Sequence, residues 1–414
     1  MKPDVLIIGG GIIGLSAAYY LARGGVPVTV IDQGEMGRGS SYGNAGLICP
    51  CLSSPIAGPG VLTQGLQWLL DGDSPFYIKP RLDRHLLSWI WQFRSYCNQA
   101  AVDAAVPLLR DLQRASLVQF QEIIAREALE CHLAAHGGLA LYNTPAGWAH
   151  GQEEAQQMAH FGLQVSLLDG DAARALEPAV KPGVIGAVHH EEDAFLTPHL
   201  FVEGLNAAAA EHVAQLLPQT ETLSFDQQNG RITTVHTTRG PIHPRQVILA
   251  AGAWSANIAR ELQFNLPLQP AKGYSITVHK PPNAPRKYLY LGEARVAVTP
   301  MGPWLRYAGT LELAGLDFSI NQRRVQAILT AAAAYLVEGG APEIVEIWRG
   351  MRACMPDGLP VIGRARQPSN LLIGTGHSTL GLSLGPITGQ LLAELVQEQR
   401  PSWPIDALRP DRFH

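Results

Sequence analysis

The chain has 414 residues, of which 46% are hydrophobic and 16% charged, so it can hold two or three well-buried domains. A formal net charge of −4 without a run of lysines or arginines argues against nucleic-acid binding. Five cysteines without C-x-x-C spacing predict neither a disulfide framework nor a metal site, and they favour a reducing cytoplasm. No signal peptide, convincing transmembrane span or lipidation motif is visible, so we expect any membrane contact to be peripheral.

The first 32 residues read as a strand, a glycine turn, a helix and a second strand. Val5 to Ile8 is a short apolar run of the kind buried in a parallel sheet, and Gly9, Gly11 and Gly14 follow at G-x-G-x-x-G spacing. The first glycine permits a tight turn, the second lets a pyrophosphate approach, and the third lets the helix pack on the strand. The order of these elements predicts a dinucleotide-binding βαβ unit.

The predicted helix runs from Ile13 to Ala22, so its free N–H groups and the positive end of its dipole would face the phosphates. The second strand ends at Asp32, where a carboxylate can bond a ribose 2′-hydroxyl and disfavours NADP. The alternatives are an ordinary glycine turn in an α/β core and a transmembrane segment. Three glycines and a length near the lower limit for a span argue against the second alternative.

A loop rich in glycine, serine and asparagine, GEMGRGSSYGNAG at 34 to 46, follows this acid directly. Its amides and the hydroxyls of Ser40 and Ser41 could reach the phosphates or the far end of an extended cofactor. The alternative is a flexible surface loop.

From Leu62 to about Arg126 the pattern predicts helices, with Pro75 and Pro80 as breaks, and a second domain begins here. The stretch from His85 to Cys97 combines aromatic with basic residues. Such a stripe either lies on a membrane face or belongs to the core.

Strand and helix patterns alternate through the remainder of the chain. Thr197 and Pro198 predict a helix start, and Asn229-Gly230 predicts a hairpin. A buried strand ends in the turn Ala251-Gly252-Ala253-Trp254, a second site suited to cofactor contact. The predicted strands are 138–143, 162–168, 183–190, 223–239 as the hairpin, 247–251, 272–278, 289–299, 305–310 and 370–373; the predicted helices are 198–211, 322–336 and 385–396.

The α/β pattern at both ends of the chain predicts an interrupted nucleotide-binding domain. The predicted class is α/β plus α+β, a Rossmann-like domain with an inserted antiparallel-sheet substrate domain. We place the nucleotide-binding domain at 1–56, 195–262 and 349–414, and the substrate domain at 57–194 and 263–348.

Six motifs occur in one order: GGGIIG with Asp32, SSYGNAG, ILAAGAWS, KGYS, WRGMRACMPDGLPVIG and LLIGTGHSTLG. Together they resemble the FAD-dependent D-amino-acid oxidase superfamily, and they are most similar to its bacterial D-amino-acid dehydrogenase branch, over essentially the whole chain. The resemblance implies non-covalent FAD, bound by the Rossmann-like domain and covered at its ring by the antiparallel sheet.

The resemblance also implies which residues contact FAD. The ADP half, the central cofactor and the ribityl and ring region would each be held by one of the glycine-rich segments. The implied contacts are Gly9, Gly11, Ile12, Ile13, Gly14, Asp32, Gln33, Ser40, Ser41, Asn44, Ala45, Gly46, Leu47, Ala251, Gly252, Trp254, Gly350, Gly376, His377, Ser378, Thr379 and Leu380.

The implied reaction is hydride transfer from the Cα of an amino acid to flavin N5, which gives an imino acid that hydrolyses. Arg352 matches the arginine with which the family holds the substrate carboxylate; a salt bridge with Asp357 is the structural alternative, and Arg349 is the competing assignment. Tyr274 either hydrogen-bonds the substrate or serves packing. His377 either bonds the cofactor or bonds nearby backbone.

Cys354 departs from the family pattern, and some amine oxidases of the superfamily attach flavin through a cysteine in this neighbourhood. The spacing from Arg352 differs, so we expect a packed thiol.

The leading hypothesis is a D-amino-acid dehydrogenase that passes electrons to a quinone or another respiratory acceptor, in the cytoplasm or peripherally on the inner membrane. A close alternative is an oxidase or dehydrogenase of glycine, sarcosine or proline-like amines. Two further classes are an NAD-binding reductase and a non-catalytic flavin-binding component of a larger complex.

Overall fold

The computed structural model describes residues 1–63, 65, 74–212, 214–337, 339 and 343–413. Its helices are α1 (Ile12–Arg23), α2 (Arg84–Tyr96), α3 (Gln99–Arg126), α4 (Pro145–His160), α5 (Gly170–Leu176), α6 (Pro198–Glu211), α7 (Ser255–Glu261), α8 (Gln322–Tyr335) and α9 (Gly385–Val396). Its strands are β1 (Val5–Ile8), β2 (Val28–Ile31), β3 (Leu47–Ile48), β4 (Phe76–Ile78), β5 (Gly138–Tyr142), β6 (Val165–Asp169), β7 (Gly186–His190), β8 (Ala194–Phe195), β9 (Gln215–Leu217), β10 (Thr222–Gln228), β11 (Arg231–Thr237), β12 (Gly240–Ile242), β13 (Gln246–Leu249), β14 (Gln269–His279), β15 (Tyr288–Leu291), β16 (Val296–Met301), β17 (Trp304–Leu313), β18 (Ile344–Cys354), β19 (Val361–Arg364), β20 (Leu371–Thr375) and β21 (His377–Ser378).

The apolar runs near both ends of the chain meet in one six-stranded sheet of order β19-β20-β13-β1-β2-β9. All pairs in it are parallel except β19 with β20. Ile7 lies opposite both Val30 and Ile248, and all four residues of β1 are buried, as a strand covered on both faces requires. The carboxyl ends of β1, β2 and β13 therefore lie at one edge, where Gly9, Asp32 and Ala250 follow them.

A second, ten-stranded sheet has the order β21-β18-β14-β17-β16-β15-β5-β7-β6, with β4 paired to β17. It is antiparallel as predicted except at two parallel pairs, β15 with β5 and β17 with β4. The single strand predicted over 289–299 is wrong: it is two strands, β15 and β16, because the chain turns back at 292–295.

The two faces of this sheet have different surroundings. Alternate side chains of β14 to β17, among them Ile276, Val298 and Leu305, form a core with Val325 and Ile328 of α8. Among the intervening residues, Gly273, Ala297 and Ala308 line a cavity. Their small size leaves room for a ligand.

Other predicted elements can be compared with the structure directly. The predictions of α6, α8, α9 and the hairpin at Asn229-Gly230 are confirmed within one or two residues. The helical prediction over 62–126 is wrong at Phe76–Ile78, which forms β4 against β17, while residues 64 and 66–73 of that stretch lie outside the described part. Thr197 precedes α6, but its hydroxyl contacts His132 Nδ1 at 3.0 Å and does not cap the helix.

The predicted domain boundaries stay a prediction. All six strands of the parallel sheet come from the three segments assigned to the nucleotide-binding domain. Strand β18 crosses the boundary at 349, and β21 pairs with it in the large sheet.

Helix α2 buries Trp89 and Phe93 and exposes Leu87 and Trp91. Among the described residues, no helix is both long enough and apolar enough to cross a membrane.

Candidate active site

The glycine turn after β1 packs so closely on neighbouring backbone that Gly9 and Gly14 have no room for a side chain. Gly9 has φ +115° and lies against the backbone of Ala250, with which a Cβ would overlap. A Cβ on Gly14 would overlap the carbonyl oxygen of Gly9. These contacts bring the start of α1 directly to the strand edge, so its N-terminal amides face the cavity described below.

Asp32 closes this turn from the side of β2. Its carboxylate accepts hydrogen bonds from the amides of Gly10 at 2.7 Å and Gly34 at 2.8 Å. Asp32 and Gln33 both line the cavity. The acid therefore braces the glycine turn, and its bond to a ribose stays a prediction.

The serines of the glycine-rich loop bond to backbone on either side of it. Ser41 Oγ accepts a hydrogen bond from the amide of Ile12 at 3.0 Å. Ser40 Oγ donates to the carbonyl of Met351 at 2.8 Å and accepts from its amide at 3.2 Å. The loop thus joins the start of α1 to β18.

A buried arginine holds the same loop from the large sheet. Arg306 is 2% exposed and donates to the carbonyls of Tyr42 at 3.1 Å and Asn44 at 2.9 Å, and to Thr277 Oγ1 at 3.0 Å. Burial lowers the pKa of its guanidinium. Since three neutral oxygens fix this cation, the flexible surface loop that we considered does not describe 40–46.

One cavity of about 1310 Å³ runs along the strand edge and the small-residue face of the large sheet. Every predicted cofactor residue except Gly14 and Gly46 lines it. Gly14 lies behind the glycine turn, and Gly46 has φ +80° against the carbonyl of Leu196. The close packing of their backbones accounts for both glycines without ligand contact.

Arg352 lies in this cavity over Gly273 of the neighbouring strand. Its Nη1 donates to the carbonyl of Thr310 at 2.8 Å, and a Cβ on Gly273 would overlap its guanidinium. Burial lowers the pKa of Arg352. Within the described part of the chain, no carboxylate lies at ion-pair distance from it, so its charge is available to a ligand.

The two alternatives for the arginine have different surroundings. Asp357 pairs with Arg412, whose Nε donates to it at 2.7 Å. The partner of Asp357 is therefore Arg412, and the alternative of a salt bridge between Asp357 and Arg352 is wrong. Arg349 donates to the carbonyl of Phe318 at 2.8 Å and lies over that ring. It falls on the opposite face of β18 and does not line the cavity.

Tyr274 does not direct its hydroxyl towards Arg352. The hydroxyl donates to Glu312 at 3.2 Å, and Glu312 also pairs with Lys272 at 3.2 Å and Arg324 at 2.8 Å. Successive residues of a strand point to opposite faces, so Tyr274 lies on the face away from the arginine over Gly273. Tyr274 nevertheless lines the cavity, and its hydrogen bond to Glu312 is of the kind that structural bonding would give, so its role towards the substrate stays a prediction.

His377 and Cys354 form a register pair between β21 and β18, and both line the cavity. His377 Nε2 lies 2.9 Å from the hydroxyl of Thr388, and burial lowers the pKa of the imidazole to about 3. Burial likewise raises the pKa of the Cys354 thiol to about 11, which agrees with the expected packed thiol.

Several cavity residues were missed from the sequence, because only sheet register brings them together. One row crosses the large sheet from β18 to β7, and its members except Ser275 line the cavity. The row consists of Trp348, Ser275, Ala308, Ala297, Tyr290, Ala140 and Val188. Arg295 and Glu154 adjoin it. Alternation of small residues in the predicted strands was the only available signal.

The residues present fit a dinucleotide cofactor. The cavity exceeds the usual volume of small-molecule sites, and the glycine turns after β1, β13 and β20 open onto it. The backbone amides at the start of α1 suit a pyrophosphate. The hydroxyl of Ser378 is buried in the wall without a hydrogen-bond partner among the described residues.

Comparison with known proteins agrees with this geometry. The chain is 32% identical to a D-amino acid dehydrogenase of Bradyrhizobium diazoefficiens, over 99% of this chain and 98% of the relative. It is 32% identical to a D-amino acid dehydrogenase of Paramagnetospirillum magneticum, over 99% and 98%. The crystal structure of glycine oxidase from Geobacillus kaustophilus has the same fold, with a TM-score of 0.82, 22% identity and 99% of each chain covered. A family model described as FAD dependent oxidoreductase matches residues 4–395. The chain therefore belongs to the family of FAD-dependent oxidoreductases.

Proposed function

We propose that this protein oxidises D-amino acids with bound FAD. The observation that carries the proposal is Arg352, a half-buried side chain in the cofactor cavity with no carboxylate partner among the described residues. A cation held away from bulk water without a counter-ion is costly unless a ligand neutralises it. The D configuration follows the naming of the relatives as D-amino acid dehydrogenases.

Each residue of the site has a defined task in this proposal. Arg352 grips the α-carboxylate, Gly273 leaves room for its guanidinium, and the wall of Ala297 and Ala308 accommodates the amino acid. Bound FAD would supply the two-electron acceptor for oxidation of the Cα–N bond, and the imino acid produced would react with water to give a 2-oxo acid and ammonia.

His377 stays neutral in this scheme. Burial lowers its pKa to about 3, and its Nε2 contacts Thr388. We therefore assign it no general-base role. It orders the turn at 376–380, which would hold the ribityl and ring region of the cofactor.

We further propose that the electrons pass to a quinone or another respiratory acceptor. The exposed Leu82, Leu87 and Trp91 at the start and along one side of α2 would provide a peripheral membrane contact. Slow reoxidation of the reduced protein by air, with rapid reduction of a quinone analogue, is the expected behaviour. Fast reoxidation by oxygen with hydrogen peroxide release would contradict the acceptor assignment.

The second candidate function is oxidation of glycine, sarcosine or proline-like amines. The small-residue wall of the cavity is compatible with these substrates too. Both candidates are tested by anaerobic bleaching of the flavin spectrum with D- and L-amino acids, glycine, sarcosine and both prolines. Bleaching by D-enantiomers alone supports the first candidate, and bleaching by glycine or sarcosine in preference supports the second.

A further inference from the structure

One end of the cavity, beyond the alanine wall, is lined by charged and phenolic side chains. Tyr290 continues the row of Ala308 and Ala297, and Arg295 immediately precedes β16. Glu154 of α4 faces them. All three polar residues line the same cavity as Arg352. The proposed reaction assigns them no task.

The charged groups at this end are arranged as a partly satisfied pair. Arg295 Nη1 lies 3.8 Å from Glu154 Oε1, which is long for a direct hydrogen bond. The Glu154 carboxylate also accepts a hydrogen bond from the Tyr142 hydroxyl at 3.3 Å and lies 3.3 Å from His150 Nε2. The side chains of Arg295 and Glu154 are each about one-third exposed, 32% and 31%. Each retains bonding capacity towards the cavity.

The neighbouring groups keep the Arg295 guanidinium protonated. Tyr290 chiefly, and then Glu154, raise the pKa of Arg295 against the effect of burial. The guanidinium therefore stays charged. It offers donors, while Glu154 beside it offers acceptors.

The spacing from Arg352 suits an amino acid. Arg352 is fixed to the carbonyl of Thr310 on β17, and Tyr290 lies on β15, two strands away. Two strand spacings amount to about 10 Å between backbones. An amino acid whose carboxylate binds Arg352 can therefore direct its side chain across Ala297 to Tyr290 and Arg295.

We propose that Arg295, Tyr290 and Glu154 form a side-chain subsite for substrates that end in a carboxamide. The carboxamide oxygen accepts from Arg295, and its NH2 group donates to Glu154. A carboxylate in the same place would be repelled by Glu154, and an apolar end would leave the remaining bonding capacity of both side chains unused. This inference rests on the proposed oxidation of amino acids.

The test is the rate of anaerobic flavin reduction of the holoenzyme by D-asparagine, D-glutamine, D-glutamate and D-norleucine. We expect at least one carboxamide to exceed both D-glutamate and D-norleucine by about tenfold in kcat/KM, equivalent to about 1.4 kcal/mol. Arg295→Met should remove that advantage, so that the kcat/KM values for the carboxamides fall to about that for D-norleucine. Arg245→Met, whose side chain is 83% exposed and pairs with Asp4, is the matched control and should change none of these ratios.

Glu154→Gln gives a second, isosteric test that does not depend on Arg295→Met folding. It should raise kcat/KM for D-glutamate relative to D-glutamine, because the repulsion between Glu154 and the side-chain carboxylate of the substrate is removed. Unchanged ratios in Glu154→Gln, or no preference for either carboxamide in the unmodified protein, would overturn the subsite. If no amino acid at all reduces the flavin, the proposed function itself fails, and the two failures are thus distinguished.

Discussion

The two faces of β14 show how differently this protein treats buried charge. On one face Lys272 and Tyr274 meet Glu312 and Arg324 in a closed network. On the other face Gly273 lies beneath Arg352, whose only described hydrogen bond goes to a backbone carbonyl. On the first face each cation has a carboxylate partner, Lys272 having Asp317 at 3.7 Å as well as Glu312, whereas on the second face Arg352 has none among the described residues.

We expect the two faces of β14 to contribute differently, one to the stability of the fold and the other to substrate binding. Burial opposes the charge of Lys272, but Glu312 and Tyr274 together outweigh it and raise the pKa of the lysine. For Arg352 burial lowers the pKa. Changes on the first face should therefore affect the free energy of unfolding, and changes on the second should affect substrate binding and turnover.

The largest effect is expected from Glu312→Ala. The substitution leaves Lys272 and Arg324, 2% and 5% exposed, without their common counter-ion, and should lower the free energy of unfolding by about 3–5 kcal/mol. Urea denaturation of the holoenzyme measures it. Glu203→Ala, which breaks the exposed pair with Arg38, is the control and should cost under about 1 kcal/mol. Equal losses for both variants would contradict a network that depends on burial.

Gly273→Ala should show the opposite behaviour. Its Cβ would displace the Arg352 guanidinium, and a misplacement of this kind should lower kcat/KM about 100-fold. FAD content and the urea midpoint should change little. Steady-state kinetics and flavin absorbance provide the measurements. Gly183→Ala, where a Cβ meets open space, is the control. Normal kinetics in Gly273→Ala would mean that the arginine does not bind substrate.

Arg306→Met tests whether the large sheet positions the glycine-rich loop at 34–46 for FAD binding. Loss of its bonds to the carbonyls of Tyr42 and Asn44 should weaken FAD binding about tenfold, since hydrogen bonds to charged groups contribute about 1.5–3 kcal/mol. Fluorescence of released flavin on dilution gives the dissociation constant. Arg38→Met removes an exposed arginine from the same loop and should leave FAD binding within about twofold. Equal FAD affinity in all three proteins would exclude the positioning role.

The smallest effect concerns pH. Folded His377 has a pKa lowered to about 3, whereas the unfolded histidine takes up a proton below about 6.5, so acid favours the unfolded state. Between pH 6.5 and 5.5 the unmodified protein should lose about 1 kcal/mol more than His377→Gln. Urea titrations at the two pH values measure this difference. Exposed His85→Gln should leave the slope unchanged, and equal slopes in all three would contradict a neutral buried His377.

The sequence predicted the nucleotide-binding end well because that end depends on local order. Gly9, Gly11 and Asp32 follow consecutive elements, and parallel strands bring their ends to one edge. Helices α6 and α9 carry clear end signals in Pro198 and Pro386, so their bounds were predictable as well.

The substrate end was not predictable in the same way. Which face Tyr274 takes depends on the register of β14 with β17 and β18, and the short turn Gly-Glu-Ala-Arg at 292–295 reverses the chain between two apolar runs that can also be read as one strand. Arg295 and Glu154 are 141 positions apart, and no local pattern links them. The same holds for Asp357 and Arg412.

The most direct test of the central assignment compares the two arginines of β18 in carboxylate binding. Propionate has no amino group to oxidise, so its saturable effect on the flavin spectrum of the holoenzyme reports binding alone. Arg352→Met should weaken that binding about 100-fold, or about 2.7 kcal/mol, while Arg349→Met stays within about threefold. The reverse order, or equal affinities in both variants, would contradict the account that the unpaired arginine over Gly273 holds the substrate carboxylate.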